Sequence, residues 1–361
     1  MKNLIAGWSL TQKCNLKCKH CYSSAGKPSS DELTLEESQL IVDKLDEYGT
    51  SAINFGGGEC AIRSDFISLV KYIKSKKIKV SYTTNGTVLE KIQNHLDLFD
   101  DIGVSIDFPD AKRHNEFRRG RSRIDVYQKA KECIEYLVSN EMDTEIVTCL
   151  TRKNADIETL QGIYDLATEL NVDHWRLNRF RSNGRGKINE SDLKLSPEEL
   201  RNAYAFLNSK RKDKYDVSTP EPLFRSAFGG RCHFVGDPSG KTSIRIQPNG
   251  EVSPSVFLTE SGGNIKTESL ENIMNSPIFK EIQAKRRPQG KCKECNVYDT
   301  CEGGDIGASY LEYGHFDGPD PLCWLDPKSE KTDILVKPSE DWNVHELYLC
   351  TLYIPIKENE K

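Results

Sequence analysis

From Leu4 onward, short apolar runs alternate with longer amphipathic ones, and this period constrains the fold more than any other feature. Leu4 to Leu10, Ala52 to Phe55, Ile78 to Thr83, Ile102 to Ile106, Thr144 to Leu150 and His174 to Asn178 read as strands. Helices lie between them. The first opens at Thr34-Leu35-Glu36-Glu37, with Thr at the cap and Glu three residues on, and ends at Tyr48 before Gly49. Others are expected from Ser64-Asp65 to about Lys76, from Gly86 to about Leu98, over Val126 to Asn140 and Asp156 to Leu170, and after Ser196-Pro197. Strands spaced by helices in this way build a parallel sheet with right-handed crossovers. Six such units are too few for a closed eight-stranded barrel. The fold class expected is therefore α/β, an open partial (β/α)6 barrel over residues 1–212.

The texture then changes. Asp213 to Pro222 is a polar, proline-containing linker, 213–222. Thr242 to Gln247 and Val252 to Leu258 flank Pro248-Asn249-Gly250, a hairpin turn signal. Ser269 to Lys285 reads as a helix, and a cysteine cluster follows from Cys292 to Cys323, giving a second unit over 223–325. The extension 326–361 is strand-like around Leu347 to Ile356. The 361 residues carry a net charge of −5, which leaves no electrostatic footprint for nucleic acid. No apolar run reaches membrane-spanning length, and Met1 to Leu10 is too short and mixed for a secretory signal. Twelve cysteines without such a signal point to a reducing cytoplasm and to metal ligation.

The ends of the strands carry the chemistry, as expected where parallel strands present their carboxyl ends to a ligand. After the first strand comes Cys14-Asn15-Leu16-Lys17-Cys18-Lys19-His20-Cys21. Three thiols this close can converge on one metal, the alternative being reactive surface thiols. They leave a cubane iron–sulfur cluster one ligand short, or, with His20, they complete a zinc site. After the second strand comes Gly56-Gly57-Gly58-Glu59, where backbone groups can approach a ligand closely. Asn85 follows the third strand; Ser105 and Asp107 follow the fourth.

The Cys-x-x-x-Cys-x-x-Cys run is similar to the signature of radical S-adenosylmethionine enzymes, with His20 in the place of the usual aromatic. The glycine run resembles the Gly-Gly-Glu-Pro motif that holds the methionyl amine in that family, with Cys60 replacing proline. The resemblance implies that Cys14, Cys18 and Cys21 hold a 4Fe-4S cluster. It implies that Gly56, Gly57, Gly58, Glu59, Asn85, Ser105 and Arg118 contact S-adenosyl-L-methionine. Arg118 comes from His114-Asn115-Glu116-Phe117-Arg118-Arg119-Gly120, which looks like the family's His-x-x-x-Arg-Gly stretch; Arg119 is the alternative register. Of Arg176, Arg179, Arg181 and Arg185, one is expected to face substrate and the others solvent; the stretch from Arg179 to Gly186 resembles the loop that closes the barrel in relatives.

Cys292-x-x-Cys295-x5-Cys301 with Cys323 fits a zinc knuckle or an iron–sulfur site on spacing alone. The segment from about Cys232 to Cys323 resembles the SPASM extension of peptide-modifying radical enzymes, and there these four cysteines hold an auxiliary 4Fe-4S cluster. A second auxiliary cluster would need cysteines where this chain has Cys232, Ser255 and Asp305, so one auxiliary cluster is expected. Val256 stands where sulfatase-maturating relatives carry a catalytic aspartate. Cys133 and Cys149 read as core residues.

The resemblance implies reductive cleavage of S-adenosylmethionine to a 5′-deoxyadenosyl radical that takes hydrogen from a substrate. The electron would come from a donor such as flavodoxin or ferredoxin. The substrate expected is a ribosomally made precursor peptide that becomes crosslinked, epimerised or otherwise modified. With only thirteen residues before Cys14, the peptide is expected to be bound by the barrel mouth and extension or by a separate carrier. Two alternatives are a small-molecule substrate, such as a tetrapyrrole or cofactor precursor, and a non-catalytic iron–sulfur or zinc carrier. No nucleic acid or membrane partner is expected.

Overall fold

A computed structural model describes residues 4–119, 124–211, 219–258, 260–284, 286–336, 344–346 and 348–357. Residues 213–218 of the expected linker lie outside these. Six parallel strands form the core: β1 (Leu4–Thr11), β2 (Thr50–Gly57), β3 (Lys79–Thr84), β4 (Asp101–Ser105), β5 (Thr144–Leu150) and β6 (His174–Arg179), adjacent in that order. Crossover helices α1 (Leu35–Tyr48), α2 (Phe66–Ser75), α4 (Val126–Ser139) and α5 (Ile157–Glu169) lie where the period places them. Thr34 and Glu37 form the expected reciprocal cap, and Gly49 ends α1 in a left-handed conformation.

Three expectations fail locally. The segment after Gly86 forms two single 3-10 turns, Leu89–Lys91 and Leu96–Leu98, in place of a helix. Between Ile106 and Val126, where the period places no helix, lies α3 (Ala111–Arg118), capped by the Asp110 carboxylate, which accepts from the Arg113 amide. The helix expected over 269–285 is broken into Leu270–Met274 and Pro277–Gln283. Pro277 lacks the amide that would continue the first piece, but it suits the first turn of a new one.

The sheet does not stop at β6 or at β1. The later unit contributes β7 (Gly230–Cys232), β8 (Ser243–Ile246), β9 (Glu251–Ser253) and β10 (Gly263–Asn264), and the extension contributes β11 (Ile334–Val336) and β12 (Thr351–Pro355). The expected hairpin is β8–β9, turning at Gly250. β8 pairs in parallel with β1, Ile5 opposite Ser243 and Trp8 opposite Ile246. β12 pairs antiparallel with β6, Thr351 opposite Asn178. The order is β10-β9-β8-β1-β2-β3-β4-β5-β6-β12, while β7 and β11 form a separate pair.

β1 is thus an interior strand and all eight of its residues are buried. Trp8 stacks on Phe55, which meets Phe66 edge-on. Each such side chain contributes roughly 1.5–3 kcal/mol through burial.

The extension packs back on this strand. A side chain at Gly7 would collide with the Tyr348 ring. Gly7→Val is expected to cost about 2 kcal/mol by overpacking and to expose the chain near Leu349 to protease. Anaerobic denaturant titration and limited proteolysis check both.

Candidate cofactor and substrate cavity

A cavity of about 230 Å³ opens at the carboxyl ends of the core strands. Cys14, Cys18, Cys21, Gly56, Gly57, Gly58, Glu59, Asn85, Ser105 and Arg118 all line it. These residues come from four different strand ends and from α3.

The cysteine loop is held from several sides. The Lys17 and Lys19 amides donate to the Arg119 and Phe117 carbonyls at the end of α3 (both 2.9 Å). Asn85 Nδ2 donates to Asn15 Oδ1 (3.0 Å), and Asn15 Nδ2 to Thr87 Oγ1 (2.7 Å). Arg185 Nε donates to the Cys18 carbonyl (2.7 Å), and the Gly186 amide to the Cys21 carbonyl (3.2 Å). The loop from Arg179 to Gly186 therefore clamps the cysteines. The glycine run comes equally close: a side chain at Gly58 would collide with the Lys13 carbonyl.

The donor set fits a metal cluster. All twelve cysteines are free of disulfides. Burial pushes the Cys14 thiol up to about 11 and Cys18 to about 12, so their thiolates call for a bound cation. His20 lines the cavity, stacks on Phe117 at 4.5 Å and is held neutral, its pKa lowered to about 4 by burial.

The other motif residues have defined partners. The Glu59 carboxylate turns into the barrel. It accepts from Tyr82, from Thr84 Oγ1 (3.1 Å) and from the Asn85 amide (2.9 Å), tying β2 to the end of β3. Arg118 Nε donates to Asp107 Oδ2 at 2.7 Å, beside the cysteine loop, whereas Arg119 is exposed. Cys60 is fully buried, its thiol donating to the Gly56 carbonyl at 3.3 Å, and it does not line the cavity. Cys133 is core, but Cys149 lines the cavity.

A second, small pocket is lined by Cys292, Cys295, Cys301 and Cys323 with Asp320. Burial and the neighbouring Cys323 push Cys292 up to about 11 and Cys301 to about 12, so these four thiols also fit a metal.

The arginines at the end of β6 and just beyond it correct the expectation of solvent exposure. Arg176, Arg179 and Arg181 are buried and line the first cavity. Arg179 forms a two-pronged pair with Asp320 and lies 3.3 Å from Glu221. Arg181 Nε donates to Asp305 at 2.7 Å, and its guanidinium lies 4.5 Å over the Phe257 ring. A buried ion network thus joins the two cysteine sites. No local sequence signal marks it, because Asp305 and Asp320 lie more than a hundred residues from their arginines and Glu221 lies beyond the linker.

Asp305 also caps the helix Ile306–Tyr313, and its close ligand-type neighbours are Asp237 and Cys350. Asp237 accepts from the Ile306 and Ser239 amides (both 2.7 Å). A second acidic group, Asp101, Glu145 and His345, is likewise satisfied: Arg176 and Tyr353 donate to Glu145 at 2.7 and 2.9 Å. Burial works to raise the Asp305 pKa, but Arg181 and Arg179 outweigh it and hold the carboxyl down to about 2. Asp305→Asn is expected to cost about 3 kcal/mol, because it strands a buried guanidinium, while leaving bound iron unchanged. Denaturant titration and iron analysis of the same preparation check this.

Residues 8–167 match the family model of the radical SAM superfamily, and residues 237–296 match that of an iron–sulfur cluster-binding domain, SPASM. The chain is similar to the mycofactocin maturase MftC of Mycolicibacterium smegmatis, 32% identical over 351 residues, covering 92% of this chain and 86% of that protein. It is 24% identical over 355 residues to the AdoMet-dependent heme synthase of Oleidesulfovibrio alaskensis, covering 90% and 88% of the two chains. Among solved structures, Streptococcus suis SuiB bound to precursor peptide SuiA shares the fold, with a TM-score of 0.71 at 17% identity over 90% of this chain and 76% of that one. The chain is an enzyme, and its cofactors are S-adenosylmethionine and 4Fe-4S clusters. It belongs to the radical SAM superfamily and carries a SPASM iron–sulfur cluster-binding domain after its barrel.

Proposed function

We propose that this chain is a maturase that takes hydrogen from a ribosomally made peptide, leaving it crosslinked, epimerised or otherwise modified. The observation that carries the reading is the single cavity that the cysteines, glycine run, Ser105 and Arg118 share. The likeness to MftC over most of both chains, and the shared fold with a peptide-bound SuiB, support a peptide as substrate.

In this reading Cys14, Cys18 and Cys21 hold the first cluster; Cys292, Cys295, Cys301 and Cys323 hold one auxiliary cluster. The Gly56–Gly58 backbone cradles the methionyl amine, and Glu59 keeps that turn in place from behind. Asn85 fixes the cysteine loop beside the ligand, Ser105 faces the ligand, and Arg118 receives the methionyl carboxylate. Bound S-adenosylmethionine beside its cluster supplies one-electron hydrogen abstraction. Tyr22, Val147, Phe180 and Phe257 line the same space and exclude water from it. The barrel (1–212), the auxiliary unit (223–325) and the extension (326–361) divide these tasks. The electron donor is a flavodoxin or ferredoxin and the setting is the cytoplasm. No helix among the described residues is long and apolar enough to cross a membrane.

A second reading is a small molecule such as a tetrapyrrole, favoured by the likeness to a heme synthase. The test is anaerobic turnover with S-adenosylmethionine, a reductant and the short peptide encoded beside the gene, read by mass spectrometry. A changed peptide together with 5′-deoxyadenosine is expected; 5′-deoxyadenosine with the peptide unaltered would favour the second reading. Removing Cys292 and Cys295 is expected to lower iron by about four atoms per chain and to leave S-adenosylmethionine binding intact.

A further inference from the structure

One fully buried positive charge of the cavity meets no carboxylate among the described residues. Arg245, on β8, is 2% exposed and lines the cavity wall. Its hydrogen-bond partners are all neutral hydroxyls. Nη1 donates to the Tyr348 hydroxyl at 2.9 Å, and Nη2 to the Tyr22 hydroxyl at 2.6 Å and to Ser9. Its Nε has no partner, and no carboxylate among the described residues forms an ion pair with it.

Every other buried arginine of the cavity is compensated. Arg118 has Asp107, Arg176 has Glu145, Arg179 has Asp320 and Glu221, and Arg181 has Asp305. Arg185, less buried, donates to two backbone carbonyls. Elsewhere, Arg225 and Arg286 also leave Nε unpaired, but they donate to backbone carbonyls and do not line this cavity. A buried guanidinium is stable only when an anion or strong acceptors meet it.

We propose that Arg245, together with Tyr22 and Tyr348, binds a carboxylate of the peptide substrate; this rests on the peptide reading above. One unpaired charge matches a singly charged carboxylate, whereas a phosphate would bring up to two negative charges to one cation. One Nη1 proton remains beyond the three bonds to Tyr348, Ser9 and Tyr22, and with the two phenol protons it can meet a carboxylate's two oxygens. Each phenol oxygen accepts from Arg245 and keeps its own proton to donate. Space exists beside the glycine run: a side chain at Gly56 would begin 3.6 Å from Arg245 Nη2 and 3.8 Å from the Tyr22 hydroxyl.

The methionyl carboxylate is the competing source. Arg118 ends α3, whose last carbonyls hold the cysteine loop, and it lines the cavity beside those thiols, where that group must lie. Arg245 enters the cavity from β8, across Ser9 of β1, and is framed by Tyr22 and by Tyr348 of the extension. It serves the second ligand of the cavity.

Two probes test this on anaerobically reconstituted protein: the peptide encoded beside the gene, and the same peptide with every carboxylate converted to amide. Binding is read by fluorescence anisotropy, and S-adenosylmethionine binding by calorimetry. Arg245→Met is expected to weaken the carboxylate peptide at least tenfold, to leave the amide peptide unchanged, and to shift S-adenosylmethionine less than threefold. Arg245→Lys is expected to restore part of the loss, which separates lost charge from lost folding. Equal loss for both peptides, no loss for either, or a tenfold loss of S-adenosylmethionine binding would overturn the carboxylate site. Failure of the wild-type protein to bind either peptide would instead reject the peptide reading on which it rests.

Discussion

The arrangement depends on β1 having a partner on each side. β2 pairs along one edge and β8 along the other, so a strand that would be the exposed margin of a six-unit barrel becomes an interior strand. Parallel pairing puts the carboxyl ends of β1, β2 and β8 on one rim. The cysteine loop leaves from β1, the glycine run from β2, and Arg245 stands on β8. The auxiliary unit therefore forms part of the wall of the cavity it serves. An unpaired edge would leave backbone donors and acceptors without partners.

The second organising element is charge. Placing arginines inside a barrel is costly unless carboxylates come with them. Here the carboxylates arrive from later in the chain: Asp320 and Asp305 from the auxiliary unit, Glu221 from the cap of the helix Pro222–Phe228 at its start. The ion pairs thus report that both units are docked. They also join the two cysteine sites, since Arg179 lines the first cavity and Asp320 lines the pocket of the other four thiols. The side chain at 305 is held by Arg181 and serves as a helix cap, a role different from that of a metal thiolate.

What could be read from the sequence was local. Six strands, most of their helices and the rim motifs follow from periodicity, caps and glycine placement within a few residues. Cys14 to Cys21 suggests a metal site by spacing, and the resemblance of the run to a family signature says which. What could not be read was long-range. Arg179 and Arg181 look like surface residues until Asp320 and Asp305 are brought to them. The Thr242–Gln247 run looks like half of a free hairpin until it pairs with β1. α3 was hidden by its basic composition, although Asp110 is a recognisable cap. The helix over 269–285 was over-extended through Pro277, a residue whose breaking effect was there to be read. Cys149 was assigned to the core because a thiol on an apolar strand usually is; it sits where the strand meets the cavity.

The central claim is that cluster, S-adenosylmethionine and substrate share one cavity, so that the hydrogen leaving the substrate is the one gained by the cleaved cofactor. The direct measurement is anaerobic turnover of substrate deuterated at the reacting carbon, with mass analysis of the 5′-deoxyadenosine formed. Deuterium in 5′-deoxyadenosine, appearing in step with product, is the result predicted. Product formed while 5′-deoxyadenosine stays free of deuterium would contradict it.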